Sequence, residues 1–518
     1  MLSRILTVGG LTLVSRVTGF ARDIMLAAIL GAGPLADAFF VAQRLPNHFR
    51  AIFAEGAFNA AFVPAYSRVH GQGGPQVAGR FADRIFTLLF AVEIILLALA
   101  LIFTPAVISV LAPGLDPERF ALSTELTRVT FPYLVLISLV TLYGGILNSL
   151  GRFASPAAAP ILLNLVMMVT LGLVAWFSNA GYAAAWGVLI SGILQALLVG
   201  GDAWRLGVLP RFAAFRLDDD LRRFFRALGP AVLGSAGTQI ALLADTMIAS
   251  LLPAGALSAL YYADRLNQLP IGVIGIAVGT VLLPEMAGRL ARGDESGARA
   301  AQDRAIELTL LLSLPCFVAF LLVPDLIMLA LFGHGAFTAA DAHAAGATLA
   351  AYTVGLVPFV LARTFSATFL SRGDTATPVK ALAVSVVVNV GFKILLMKPL
   401  AQVGLAFATS IGVWINVALL LWFALRAGLI AFDERLKTST WKLLLAAAVL
   451  AVALWIGQLI LGPLIGQLPR FRSETMLAAL AVIGAITYVG AILSLFDRKW
   501  FAAFRGSAAP AQQPIAQA

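Results

Sequence analysis

Four arginines and three carboxylates fall between residues 16 and 55, namely Arg16, Arg22, Asp23, Asp37, Arg44, Arg50 and Glu55, in a stretch otherwise dominated by apolar side chains. If that stretch crosses a membrane, its ionisable groups must face a bundle interior or a watery cavity, because hydrocarbon cannot solvate them. Such residues mark a path for a polar substrate. Arg265 and Arg363 add two further cations in apolar surroundings. Arginine's planar fork binds phosphate and carboxylate through paired N–H donors and never loses its charge. The chemistry implied is capture of an anion, most simply a phosphate-bearing one. The competing reading is static ion pairing, of Arg22 with Asp23 or Asp37 and of Arg265 with Asp264.

The elements that must position these groups are membrane helices. Of the 518 residues 60% are hydrophobic and only 12% charged, and the mean hydropathy is +0.93, far outside the soluble globular range. A helix needs about 20 apolar residues to cross roughly 30 Å of hydrocarbon. The chain offers about fourteen such runs, the first near 5–31 and the last near 472–495. The first is too long, and too charged in its second half, for a signal peptide, and reads as a retained helix. Most Lys and Arg lie at the N-terminus, after even-numbered runs and in the tail, including Arg216, Arg222, Arg223 and Arg226. Cationic loops stay cytoplasmic, so both termini are expected on that side. This distribution accounts for the net charge of +10 without invoking nucleic acid, for which no basic soluble domain is present.

Catalytic signatures are lacking. Cys316 is the single cysteine, and His48, His70, His334 and His343 have no ligand spacing, so no metal site, cofactor or intramolecular disulfide is expected. There is no nucleotide-binding loop and no nucleophile elbow. The chain reads as a non-enzyme whose energy source lies elsewhere. A membrane potential supplies roughly 2.3 kcal/mol per charge per 100 mV, and the choice between potential, ion gradient and downstream consumption stays open.

Internal repetition sets the domain plan. AFFVAQRL at 38–45 returns as ALYYADRL at 259–266, and nearly the same offset pairs RDIM (22–25) with ADTM (244–247), Pro64 with Pro284, and GRFASP (151–156) with GDTATP (373–378). The offset spans six helices, an even number, so the halves are parallel repeats, as in secondary transporters. The expected fold is therefore an all-α polytopic membrane protein: an N-lobe at 1–211, a cytoplasmic linker at 212–226, a C-lobe at 227–432, two extra helices at 433–497 and a tail at 498–518.

Helical phase locates the charges. At 100° per residue Arg16 and Asp23 share a stripe to within about 20°, with Arg22 about 120° from Arg16. Asp37, Arg44 and Glu55 share another line, which rises about 27 Å and suits a hydrated cavity. A second polar group comprises Asp245 in the seventh helix with Asn389 and Lys393, one turn apart, in the eleventh. It reads either as a structural ion pair or as an ion or coupling site in which Lys393 supplies the positive charge.

SRVTGFARD (15–23), ADAFFVAQRLPNHFRAIFAEGAFNAAFVP (36–64) and YYADRLNQLPIGVIGIAVGTVLLP (261–284) resemble the signature stretches of the MurJ/MviN family of bacterial lipid II flippases, in the MOP exporter superfamily. The fourteen-helix plan is similar along nearly the whole chain. The resemblance implies transfer of undecaprenyl-pyrophosphate-linked peptidoglycan precursor from the cytoplasmic to the periplasmic leaflet of the inner membrane, with no cofactor. It implies essential roles for Arg16, Arg22, Arg50, Arg265 and Asp37. Asp23 and Asp37 would hold the arginines oriented around the diphosphate, Glu55 would belong to the same substrate site, and the last two helices would form a groove for the polyprenyl tail. Lipid II, the bilayer and a cell-wall synthesis complex are the partners this suggests.

Three other classes stay in view: a flippase of another polyprenyl-linked glycan, a drug or cation antiporter of the same architecture, and a structural member of a cell-wall complex. An antiporter calls for an acid-dominated cavity, and a structural role leaves the charges unexplained. A membrane glycosyltransferase would need catalytic carboxylates and a large periplasmic domain, and no loop here is long enough.

Overall fold

A computed structural model describes residues 2–50, 57–214, 216–430, 433–468, 470–498 and 500–501; Glu55 lies outside the described residues. Those residues form α-helices, one short 3-10 turn and loops, with no strand among them. In chain order the helices are α1 (Leu2–Leu30), α2 (Pro34–Phe49), α3 (Ala57–Ile102), α4 (Thr104–Leu111), α5 (Pro117–Thr130), α6 (Tyr133–Ser149), α7 (Ala154–Gly172), α8 (Ala180–Arg205) and α9 (Asp219–Ser250). They continue as α10 (Ala256–Leu290), α11 (Glu295–Leu322), α12 (Pro324–Phe332), α13 (Ala339–Thr353), α14 (Leu356–Leu370), α15 (Ala376–Arg426), α16 (Glu434–Ile465) and α17 (Arg472–Leu495).

Starts and interruptions have local causes. Asp116, Asn179, Asp218, Asp294 and Asp433 each accept a backbone N–H from the first turn of the helix that follows, satisfying donors that have no partner within the helix. Prolines split expected spans: Pro132 separates α5 from α6, and Pro324 opens α12 directly after α11, because proline lacks the N–H that would continue the ladder. In the other direction, helix runs through two expected loops. α3 passes a kink at Gly74 and α15 passes one at Ala401, joining runs read separately from hydropathy. Residues 219–226, expected in the linker, are the first two turns of α9.

Nine helical stretches among the described residues are long and apolar enough to span a membrane; the charged positions singled out from the sequence cluster on α1, α2, α9 and α10. Those four carry Arg16, Arg22, Asp23, Asp37, Arg44, Asp245 and Arg265.

Chain contacts define two compact units, residues 1–262 with 332–342, and residues 263–331 with 343–518. In the first, α7 packs on α1 and α8, α2 on α5, and α3 on α6 and α9. The α7–α8 approach depends on Gly187, where any side chain would overlap Thr170 and press on Met167. Phe58, Phe62, Phe81 and Phe224 close the seam between α3 and α9, and Arg84 and Arg68 pair there with Asp218 and Asp220. In the second unit α11 packs on α14 and α16, and α16 on α17. Ile271, Ile274, Met286, Leu356 and Val360 belong to its core, and Tyr488 of α17 donates its hydroxyl to the Leu311 carbonyl at 2.8 Å. α16 and α17 still expose Trp441, Trp455, Ile460, Ile486 and Leu493, as helices facing lipid should.

Candidate functional site

The charges of α1 sit in two different environments. Arg22 and Asp23 are both buried. Arg22 sends Nη2 and Nε to the same Asp23 oxygen at 2.7 and 3.1 Å, and Nη1 to Asn164 Oδ1 of α7 at 3.1 Å. The Asn164 amide in turn donates to the Ser15 carbonyl and the Thr18 hydroxyl at 3.0 and 3.1 Å. Tyr261 donates to Asp23 Oδ1 at 3.1 Å while its ring stacks on Phe40 at 3.8 Å. At least three of the five N–H donors on the Arg22 fork are engaged in this lattice. Arg16, by contrast, is exposed, and among the described residues no ion pair involves it. Arg16 and Asp23 share a helix direction but not an environment, Asp23 being buried and Arg16 exposed. The long Arg22 side chain turns onto Asp23, and the cation left facing open space is Arg16.

Asp37 forms a second buried centre, with partners the sequence reading did not foresee. Its Oδ1 accepts from the Ser258 N–H at 2.8 Å and the Ser258 hydroxyl at 2.5 Å, and its Oδ2 from the Gly255 N–H at 2.7 Å and Arg119 Nη1 at 3.3 Å. Arg119 is also held by Asp116 at 2.5 Å. Asp37 thus caps the N-terminus of α10 from another helix, where a carboxylate is stabilised by the unpaired N–H groups and the positive end of the helix dipole. Gly255 has φ +89, and a Cβ there would stand 2.7 Å from the Ala32 carbonyl oxygen, so only glycine lets the chain enter α10 this close to α2. Tyr262 donates to the Gly31 carbonyl at 3.1 Å and Ala336 to the Ala28 carbonyl at 2.7 Å. Phe20, Phe332 and Phe337 pack around the same end. Asp37 therefore fastens the start of α10 to α2 within the first unit and holds Arg119 beside it.

Other expected site residues are placed individually. Arg44 and Arg50 are half-buried, and Arg50 lines a cavity of about 410 Å³ inside the first unit. Arg265 is half-buried in the part of α10 belonging to the second unit. Asp245 is half-buried in the first unit, whereas Asn389 and Lys393 lie on α15 in the second, Lys393 buried and Asn389 against Gly412. Arg363 reaches over the Phe359 ring at 5.9 Å. No group of three or more metal-ligating side chains occurs among the described residues.

Arg119 and Asn164 are the functional candidates the sequence reading missed. Arg119 left one signal, a cation in an odd-numbered loop, on the side where basic residues are scarce. Glu93 was missed as well: a lone acid in an apolar run, buried, with Ser138 donating to it at 2.9 Å.

Comparison with known proteins extends these observations. The sequence profile of the family described as "Lipid II flippase MurJ" matches residues 26–464. The probable lipid II flippase MurJ of Rhizobium meliloti (strain 1021) is 39% identical over 96% of each chain. Among solved structures, a lipid II flippase MurJ in an inward closed conformation superposes with a TM-score of 0.79 at 24% identity, covering 93% of this chain and 97% of that one. An inward-facing multidrug resistance MATE family transporter of the MOP superfamily gives 0.67 at 18% identity, covering 80% and 95%. These two likenesses bear on the fold. With its polytopic helical fold, its buried arginines and this match over most of its length, the chain belongs to the MurJ family of lipid II flippases.

Proposed function

We propose that this chain carries lipid II, the undecaprenyl-pyrophosphate-linked peptidoglycan precursor, from the cytoplasmic to the periplasmic leaflet of the bacterial inner membrane. The observation that carries the reading is membership of the family across residues 26–464. Physical chemistry agrees: a diphosphate headgroup cannot enter hydrocarbon, and this chain supplies cations inside its membrane helices. Arg16, exposed within α1, is the group available to the diphosphate, together with Arg50 and Arg265. Arg22 and Asp23 act as a fixed scaffold beneath it. Glu55 is assigned to the same path.

Asp37 works as a latch. While it caps α10, residues 31–37 and 250–262 are held together, and release of that cap frees them during transport. With the basic loops cytoplasmic, both termini are cytoplasmic and the latch is periplasmic. The exposed apolar faces of α16 and α17 suit a polyprenyl tail that stays in lipid throughout. Asp245, Asn389 and Lys393 are assigned to coupling. The chain moves its substrate without changing it chemically, and cell-wall synthesis enzymes consume the product.

Complementation tests the reading. A bacterium depleted of its own flippase should be rescued by the wild-type gene, with lipid II exposed at the periplasmic face, and not by Arg265→Ala at equal membrane abundance. Failure of the well-inserted wild type would refute lipid II transport, and full activity of Arg265→Ala would remove that residue from the site.

A further inference from the structure

The cavity beside Arg50 is enclosed by α1, α3, α6, α7 and α8, all within the first unit, and measures about 410 Å³. Among the described residues its polar lining includes Ser15, Asn59, Thr141, Asn148 and Gln195, with Arg50 as the charged group. Gln195 is 2% exposed, and its Nε2 has no hydrogen-bond partner among the described residues. A buried amide donor without an acceptor is costly and calls for a ligand or water to complete it. Ile137, Val140, Leu163 and Pro160 add an apolar lining.

We infer that this cavity is a subsite for an acetamido sugar of the lipid-linked headgroup. The inference rests on the functional reading above and deepens it. Hydroxyls and carboxamides, which both donate and accept, match a neutral ligand carrying hydroxyl and amide groups. The Gln195 Nε2 donor suits the acetamido carbonyl, and the apolar lining suits the acetamido methyl and the C–H face of the ring. The volume lies at the small end of the roughly 300–1,000 Å³ typical of ligand pockets, so one sugar fits and the whole headgroup does not.

The test is binding of two lipids to the full-length protein in nanodiscs, lipid II and undecaprenyl pyrophosphate, which lacks the sugars. In the near-isosteric variants Gln195→Leu and Thr141→Val, lipid II binding should weaken, about tenfold for Gln195→Leu, as one buried hydrogen bond is lost. Undecaprenyl pyrophosphate should bind all three proteins alike. Parallel weakening of both lipids, or no change in either variant, would overturn the sugar subsite while leaving the flippase reading intact. A wild-type protein that binds neither lipid would overturn both.

Discussion

Replacing Asp37 by asparagine should unlatch the N-terminus of α10, and the bond pattern sets the size of the effect. The carboxylate accepts from four donors, two on each oxygen. Asparagine keeps one acceptor oxygen and puts an NH₂ group where the other stood. If the NH₂ replaces Oδ2 it meets the Gly255 N–H and Arg119. If it replaces Oδ1 it meets the Ser258 N–H, although the Ser258 hydroxyl can turn. Either way a buried N–H loses its acceptor, at about 1–3 kcal/mol, and the remaining bonds lose their charge assistance. Arg119 keeps Asp116, which limits the loss. A total of about 2 kcal/mol corresponds to roughly a thirtyfold shift in the local opening equilibrium. Amide hydrogen exchange over residues 252–260, read by mass spectrometry, measures that equilibrium directly. Exchange should accelerate about thirtyfold in Asp37→Asn and about fivefold in Ser258→Ala, which removes one hydroxyl donor. Indistinguishable rates in wild type and Asp37→Asn would refute the latch.

Two further outcomes separate binding from scaffolding. Arg16→Ala should abolish transport yet leave the melting of the purified protein nearly unchanged, within about 0.5 kcal/mol. Arg22→Ala should abolish transport and also destabilise by about 3 kcal/mol or more, because Asp23 stays buried without its cation; equal stability losses would sink the distinction. Outside the membrane helices, Asp294 caps α11 through the Gly297 N–H, and that bond, with Ser296 and Arg289, holds its carboxyl below the usual 3.8. A lowered folded-state value means that the stabilisation is present above the unfolded value and disappears as pH falls through the folded one. Asp294→Ala should therefore melt below wild type at pH 7, with the gap closing under about pH 4; a gap unchanged down to acid pH would show that the charge plays no part.

By itself the sequence determined the membrane class, the repeated helices, the intramembrane cations and the family. Hydropathy and repetition are sums over contiguous residues, so no fold is needed to read them. Only the tertiary structure decided which arginines are occupied. Helical phase put Arg22 off the charged stripe, but phase describes Cα positions, and a long side chain reaches a partner such as Asn164, 142 positions away. The same limit hid Arg119 and the Asp37 latch on α10, and it hid the sugar-sized cavity, whose walls come from five helices. Charge and apolarity are properties of residues; partner choice and cavities belong to the packing of helices far apart in the chain.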